Sequence, residues 1–164
     1  MPACCAVGGK TAWSTLMSDW SIRIADWLDE ADQSAIRSIR EQVFIIEQDV
    51  AKELEWDGLD EECLHLLAIH PQHGALATAR LCYDSHADHA HIGRMSVLQD
   101  WRQQGIGKAM LDSLIEHADM QQLGCLELNA QTHATDFYRK SGFEICGDEF
   151  LDANIPHYRM QRHK

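Results

Sequence analysis

One stretch limits this chain more than any other: Trp101-Arg102-Gln103-Gln104-Gly105-Ile106-Gly107-Lys108-Ala109-Met110. After it, Met110, Leu111, Leu114, Ile115 and Ala118 recur at helical spacing, which predicts a helix over residues 108–121. Before it, His91 to Leu98 reads as a strand. The two glycines therefore stand where a strand hands over to a helix. Glycine carries an entropic cost there, which is offset when something must come close to the backbone. A helix N-terminus presents unpaired N–H groups and the positive end of the peptide dipoles, a setting suited to phosphate or pyrophosphate. Only one residue separates the glycines and no Ser or Thr follows Lys108, so this is not a Walker loop. Position 110 is Met, so it is not the G-x-G-x-x-G dinucleotide fingerprint either. Alone, a G-x-G before a helix fits a tight turn as well as an anion site.

The remaining chain alternates strands and helices. Strands are predicted at Ser21–Ala25, Leu64–Ile69, Ala75–Tyr83, Cys125–Asn129, Phe143–Cys146 and Pro156–Gln161. Asp29–Ile46 reads as one helix, with Ile36, Ile39, Val43 and Phe44 on a shared face. A short helix is expected over residues 133–141, with Thr132 as its cap and Gly142 at its end. The turns "HPQHG" and "DSHADHA" separate the middle strands. This order implies an α/β (α+β mixed) class: a central, mixed, twisted sheet flanked by helices.

With 164 residues, 45% of them hydrophobic, the chain fits one globular domain. The expected division is a single domain over 19–164 behind an N-terminal extension, 1–18, that is disordered or not native to the fold. Met17-Ser18-Asp19 reads as an alternative start, and the first residues lack the apolar core of a signal peptide. A formal net charge of −12 argues against nucleic acid, whose phosphates reward clustered Lys and Arg. No run of 18 apolar residues is present, so no membrane span is expected. None of the six cysteines forms a C-x-x-C pair. Cys63, Cys82, Cys125 and Cys146 sit in apolar segments and read as free, buried thiols of a cytoplasmic protein.

Two signatures carry a resemblance. Arg102-Gln103-Gln104-Gly105-Ile106-Gly107 is similar to Q/R-x-x-G-x-G/A, the acetyl-CoA pyrophosphate loop of the GNAT N-acetyltransferase superfamily. Some thirty residues on, "ATDFYRKSGF" resembles that superfamily's A-x-x-F/L-Y-x-K-x-G-F, matched at Ala134, Phe137, Tyr138, Lys140, Gly142 and Phe143. "REQVFIIEQ", then Asp57, Asp60 and His65, and finally "IPHYRM" resemble the ElaA-like subgroup of small bacterial acetyltransferases. The resemblance spans roughly residues 20–161. It implies the GNAT fold, with a mostly antiparallel sheet, and acetyl-CoA as co-substrate without a metal. It implies that backbone groups of Met95, Ser96 and Val97 hold pantetheine. Gln103, Gln104, Gly105, Ile106, Gly107 and Lys108 would then supply the pyrophosphate amides. Gln131 takes the place of an asparagine that contacts coenzyme A, and Tyr138 matches the tyrosine that protonates the departing thiolate.

Acyl transfer to an amine needs a proton acceptor, a stabiliser of the carbonyl oxygen and a proton donor to sulfur. A strand N–H near Val97 and the Tyr138 phenol suit the last two roles. The acceptor of the amine proton is less marked. Where some relatives carry a glutamate this chain has Leu126, and Glu127 points to the other strand face. Glu47, Asp57 and His65 remain as base candidates, with ordered water as another. His86, Asp88, His89 and His91 alternate across a turn without completing a metal-ligand set. The leading expectation is an N-acetyltransferase acting on a small-molecule or peptide amine; the chain is compatible with a homodimer. The alternatives are a non-catalytic acyl-CoA-binding or sensing module and a nucleotide-phosphate binder.

Overall fold

The computed structural model describes residues 19–84 and 88–164. The expected extension, 1–18, with Cys4 and Cys5, lies outside them, as does His86. The strands are β1 (Ser21–Ala25), β2 (Leu64–His70), β3 (Gly74–Tyr83), β4 (His89–Val97), β5 (Cys125–Gln131), β6 (Glu144–Ile145), β7 (Phe150–Asp152) and β8 (Ile155–His163). The α-helices are α1 (Glu30–Arg40), α2 (Lys52–Glu55), α3 (Ile106–Met120) and α4 (Thr135–Arg139). All eight strands form one sheet in the order β1-β2-β3-β4-β5-β8-β6, with β7 paired to β8. Every pairing is antiparallel except β4 with β5. That parallel pair is joined through α3, the crossover that parallel strands need.

Strand alternation sends side chains to two layers. Ala79, Leu81, Ala90, Ile92, Leu126 and Leu128 meet α3, whose Met110, Leu111, Leu114 and Ala118 are fully enclosed. On the opposite face Leu67 packs with Trp27 and with Ile36, Ile39 and Val43 after α1. Each such apolar side chain contributes about 1.5–3 kcal/mol by leaving water.

Asp29 caps α1, accepting from the Asp32 N–H at 2.9 Å. The helix expected to run on to Ile46 tightens only as far as Arg40, then widens into a π-helical turn, Glu41–Glu47. Such turns rotate the following side chains relative to a regular helix, and here Phe44 and Glu47 come to face the cavities described below. Thr132 does not cap α4; its hydroxyl donates to Glu149 Oε2 at 2.8 Å. Gly142 does end that segment, at φ +85°. β7 and α2, neither expected, are short elements with little periodicity to betray them.

The cysteine expectation is corrected. Cys63 precedes β2 and lies opposite Cys82 of β3, their Cα atoms 4.4 Å apart, and the two are joined in a disulfide. Leu64 pairing with Leu81 sets that register, and facing positions of a non-hydrogen-bonded antiparallel pair are spaced for such a link. Cys125 and Cys146 are free but only partly buried. Among the described residues no helix is long and apolar enough to cross a membrane.

Candidate active site

β4 and β5 pair only from His89–Cys125 to Ile92–Leu128. Beyond that, β4 continues to Val97 along β3 and β5 to Gln131 along β8 without pairing to each other, so the two strands splay. A bulge causes part of this departure. Between Arg80–Gly93 and Thr78–Ser96, β4 carries one residue more than β3, and Arg94 sits there at φ +51°. A left-handed non-glycine residue at a bulge is strained and persists where surroundings hold it. Here Arg94 donates to the Glu55 and Leu54 carbonyls at 3.1 Å and to Asp57 Oδ2 at 3.0 Å.

The splay opens a groove of ≈ 600 Å³ lined by Met95, Ser96 and Val97 on one side and Gln131, Phe137 and Tyr138 on the other. The N-terminus of α3 closes its end. Gly105 is the residue before the helix, at φ +82°, and no side chain caps it. The first ladder bond is Ala109 N–H to the Gly105 carbonyl at 3.0 Å, so the N–H groups of Ile106, Gly107 and Lys108 have no acceptor within the helix. The glycines differ in their reasons. Gly105 suits its left-handed backbone angle, a region that Gln103 also occupies, at φ +62°, without being glycine. A Cβ on Gly107 would lie 3.7 Å from Val97 and 3.8 Å from Phe137, ordinary contacts, so the fold alone does not exclude a small side chain there. Gln104 turns back to the Asp100 carbonyl at 3.1 Å, and Lys108 lies along its own helix on Asp112. The Ser96 hydroxyl is buried without a partner, an uncommon and costly state.

A second cavity, ≈ 300 Å³, adjoins the groove and shares Met95, Gln131 and Tyr138 with it. The Tyr138 phenol stands at this junction, donating to Met95 Sδ at 3.9 Å. Phe137 and Phe143 pack edge-on against its ring, and burial pushes its pKa up to about 12. Gln131 donates to Gln48 Oε1 at 2.9 Å, tying β5 to the turn after α1.

The three base candidates fall in different places. Glu47 lines the groove, where both its oxygens accept from Arg102 at 2.6 Å. These bonds hold its carboxyl below the usual range against the opposing effect of burial. Arg102 also donates to the Val97 carbonyl at 2.9 Å. Asp57 accepts from Arg80 at 2.8 and 2.6 Å, chiefly which keeps its carboxyl far below the ordinary range. His65 is buried, stacked on Trp27, with Nε2 2.9 Å from the Asp60 carbonyl. Burial pushes its pKa down. Neither Asp57 nor His65 lines either cavity.

The second cavity instead presents Glu55, His91, Arg94 and His157. His91, the first residue of the strand expected from the sequence, lies on β4, which begins two residues earlier at His89. Alternation in "HAHIGRMSV", with Ala90 and Ile92 inward, was the signal that could have placed it on the cavity face. Among the described residues no group of three or more His, Cys, Asp or Glu is placed to hold a metal ion.

This single parallel pair, forced apart beside a glycine-led helix, belongs to the acyl-CoA N-acyltransferase fold. Residues 32–164 match the family described as "Acetyltransferase (GNAT) domain", and the chain belongs to that family. It is 35% identical over 136 residues to YyaT of Bacillus subtilis, covering 81% of this chain and 90% of that one. A solved acyl-CoA N-acyltransferase from Pseudomonas aeruginosa aligns with TM-score 0.77 at 29% identity, over 87% of this chain and 97% of that one. Escherichia coli ElaA aligns with TM-score 0.77 at 23% identity, over 88% and 98% respectively.

Proposed function

We propose that this protein is an N-acetyltransferase of the ElaA-like kind, its residues 19–164 forming one catalytic domain that moves an acetyl group from acetyl-CoA to a small-molecule or peptide amine. The observation that carries the reading is the groove between the splayed strands, with the partnerless Ser96 hydroxyl in its wall and the free amides of α3 at its end. A pantetheine arm offers amides to an unpaired strand edge, and a pyrophosphate suits a helix N-terminus. Met95, Ser96 and Val97 would hold the first, and Gln103 to Lys108 the second, with Gln131 beside them. Bound acetyl-CoA supplies an activated thioester carbonyl.

The chain's own groups do the rest. The acceptor amine enters from the second cavity and meets the groove at Met95 and Tyr138. Its nitrogen forms the new C–N bond, and the C–S bond breaks with its electron pair going to sulfur. A strand N–H near Val97 steadies the carbonyl oxygen. Tyr138 gives its proton to sulfur, and the proton released by nitrogen passes to a base. A cytoplasmic location goes with this co-substrate; there the Cys63–Cys82 bridge would face cellular thiols.

Release of free thiol from acetyl-CoA, followed across a panel of primary amines, tests the reading. Turnover with at least one amine, with the acetylated amine identified by mass, is the expected result. Tight acetyl-CoA binding with no turnover on any amine would instead describe a binding module.

A further inference from the structure

Four strands place a polar row on one face of the sheet. Cys82 of β3 stands opposite His91 of β4, His91 beside Glu127 of β5, and Glu127 opposite Gln161 of β8. Gln161 Nε2 donates to Glu127 Oε2 at 2.8 Å, which leaves Oε1 turned to His91, 4.0 Å from Nδ1. That separation is too long for a hydrogen bond, so the carboxylate acts on the imidazole through its field. The other edge of the ring leans over Gly93. A Cβ there would lie 3.7 Å from Cδ2 and 3.9 Å from Nε2. Gly93 opens the bulge at which β4 leaves β5. The Nε2 edge of the His91 ring thus lies over Gly93, and both residues line the second cavity, which also holds Met95 and Tyr138.

We infer that His91 is the proton acceptor for the amine, and that Glu127 is the residue that positions it. The inference rests on the acetyl-transfer reading above. It places the proton released by nitrogen on His91 Nε2 while Tyr138 supplies one to sulfur, so the protons balance across the step. Met95 follows Gly93 by two residues across the bulge, and ordered water carries the proton from the amine to His91, a route open to a general base.

Glu55, in the same cavity, is bound by Arg40 and Arg94. His157 sets Nδ1 against the Ile155 carbonyl at 2.8 Å and stacks on Phe150, which leaves its Nε2 as the competing acceptor. His157→Gln is therefore measured beside His91→Gln, and a loss of activity in His157→Gln alone overturns the assignment. Asp152 is exposed at the rim. The charged and titratable groups around His91 are Glu127, Arg80, Arg94 and His89, with Glu55 and His157 across the cavity. Burial pushes the imidazole down and Glu127 pulls it back up, with the arginines and His89 pushing down. The balance leaves His91 below its ordinary value, neutral and ready to accept near neutral pH.

The test is kcat/KM across pH for the wild type, His91→Gln and Glu127→Gln. Two acceptor amines of different pKa are used, so that the limb common to both belongs to the protein. A neutral base predicts that activity rises with pH through the His91 pKa and then levels. His91→Gln should lose about 10²–10⁴-fold together with that limb, while acetyl-CoA affinity by calorimetry stays put. Glu127→Gln should move the limb to lower pH, because the carboxylate that favours the protonated ring is gone. A merely structural Glu127 would leave the limb in place. Should His91→Gln not fold, the limb shift in Glu127→Gln decides. An active wild type whose profile neither variant changes overturns the assignment of His91 alone. A wild type inactive on every amine overturns the transferase reading beneath it.

Discussion

The phenol of Tyr138 holds its proton more firmly than a free tyrosine, because burial pushes its pKa up to about 12. It therefore stays protonated through the neutral range and contributes no basic limb there. An alkyl thiol titrates near about 8.5, so full transfer from so weak an acid runs uphill. In the proposed step the phenol donates to the sulfur as negative charge builds, and the proton it gives up is regained from solvent. Tyr138→Phe should then lower kcat toward the smaller end of about 10²–10⁴-fold, leave acetyl-CoA affinity little changed, and matter least at low pH where solvent supplies the proton. Steady-state kinetics of both proteins over a pH series checks this; equal kcat throughout would reduce Tyr138 to a packing residue beside Phe137 and Phe143. The positions of Tyr138 and Gly107 at the groove were legible in the sequence because the signals are local: a helix start and a short signature. Glu55, His91 and Arg94 were not, since each matters through neighbours on other elements. Asp57 and Glu47 drew notice as carboxylates, but a sequence does not display the arginines that neutralise them.

At the scale of elements, α1 ends in two ion pairs of different worth. Near its start Arg23 grips Asp32 at 2.7 and 2.5 Å, yet half of the arginine side chain is in water, so the pair contributes about 0–1 kcal/mol. At its end Arg40 is fully buried. It bonds Glu55, Asp60 Oδ1 at 2.6 Å and the Glu55 carbonyl at 2.9 Å, and lies 4.6 Å over the Trp56 ring. Arg80 joins through Asp60 and Asp57, and Arg94 through Glu55 and Asp57. This lattice fixes α2 and the bulge of β4 to the end of α1. Arg40→Met keeps the length of the side chain but leaves Glu55 and Asp60 under-compensated, and should cost about 3–5 kcal/mol. Urea midpoints for Arg40→Met and Arg23→Ala measure the contrast; similar small losses would mean the lattice has little net worth. Acid acts on the same groups. Asp57 is lowered mainly by its Arg80 bonds; Asp60 is lowered because Arg40 and Arg80 outweigh burial. Their contribution is full above the unfolded value of 3.8 and is lost as pH falls below it. From sequence, the start of α1 was legible to within a residue, and its cap at Asp29 and its widening after Arg40 were not. Apolar spacing continues through Val43 and Phe44, and only the buried arginine and the cavities show why the regular helix stops.

At the scale of the whole molecule, alternating strands and helices announced a mixed sheet, but not that β8 would enter between β5 and β6. Which strand pairs with which is a non-local choice, made as faces close on a common core. The disulfide escaped for the same reason, since only the β2–β3 register brings Cys63 opposite Cys82. That architecture yields a test of the groove as a unit. The amides at the start of α3 would attract any phosphate, and a net charge of −12 would repel every polyanion alike. On the proposed reading, discrimination comes from the edge of β4 that β5 leaves unpaired, which suits the amides of a pantetheine arm that ATP lacks. Acetyl-CoA at about 100 times its Kd should stabilise the fold by about 2.7 kcal/mol. On a scale of about 2–4 °C per kcal/mol for a domain of this size, the melting temperature rises by about 5–11 °C, while ATP at the same concentration leaves it nearly unchanged. Gly107→Val supplies the internal control. Its backbone angle is not left-handed and a Cβ meets only ordinary contacts, so the apo protein should melt near the wild type. The added methyl groups occupy the approach to the amides and should abolish the acetyl-CoA shift. Equal shifts with both ligands would reduce the groove to a general anion site, and a shift retained in folded Gly107→Val would move the pyrophosphate off the α3 amides.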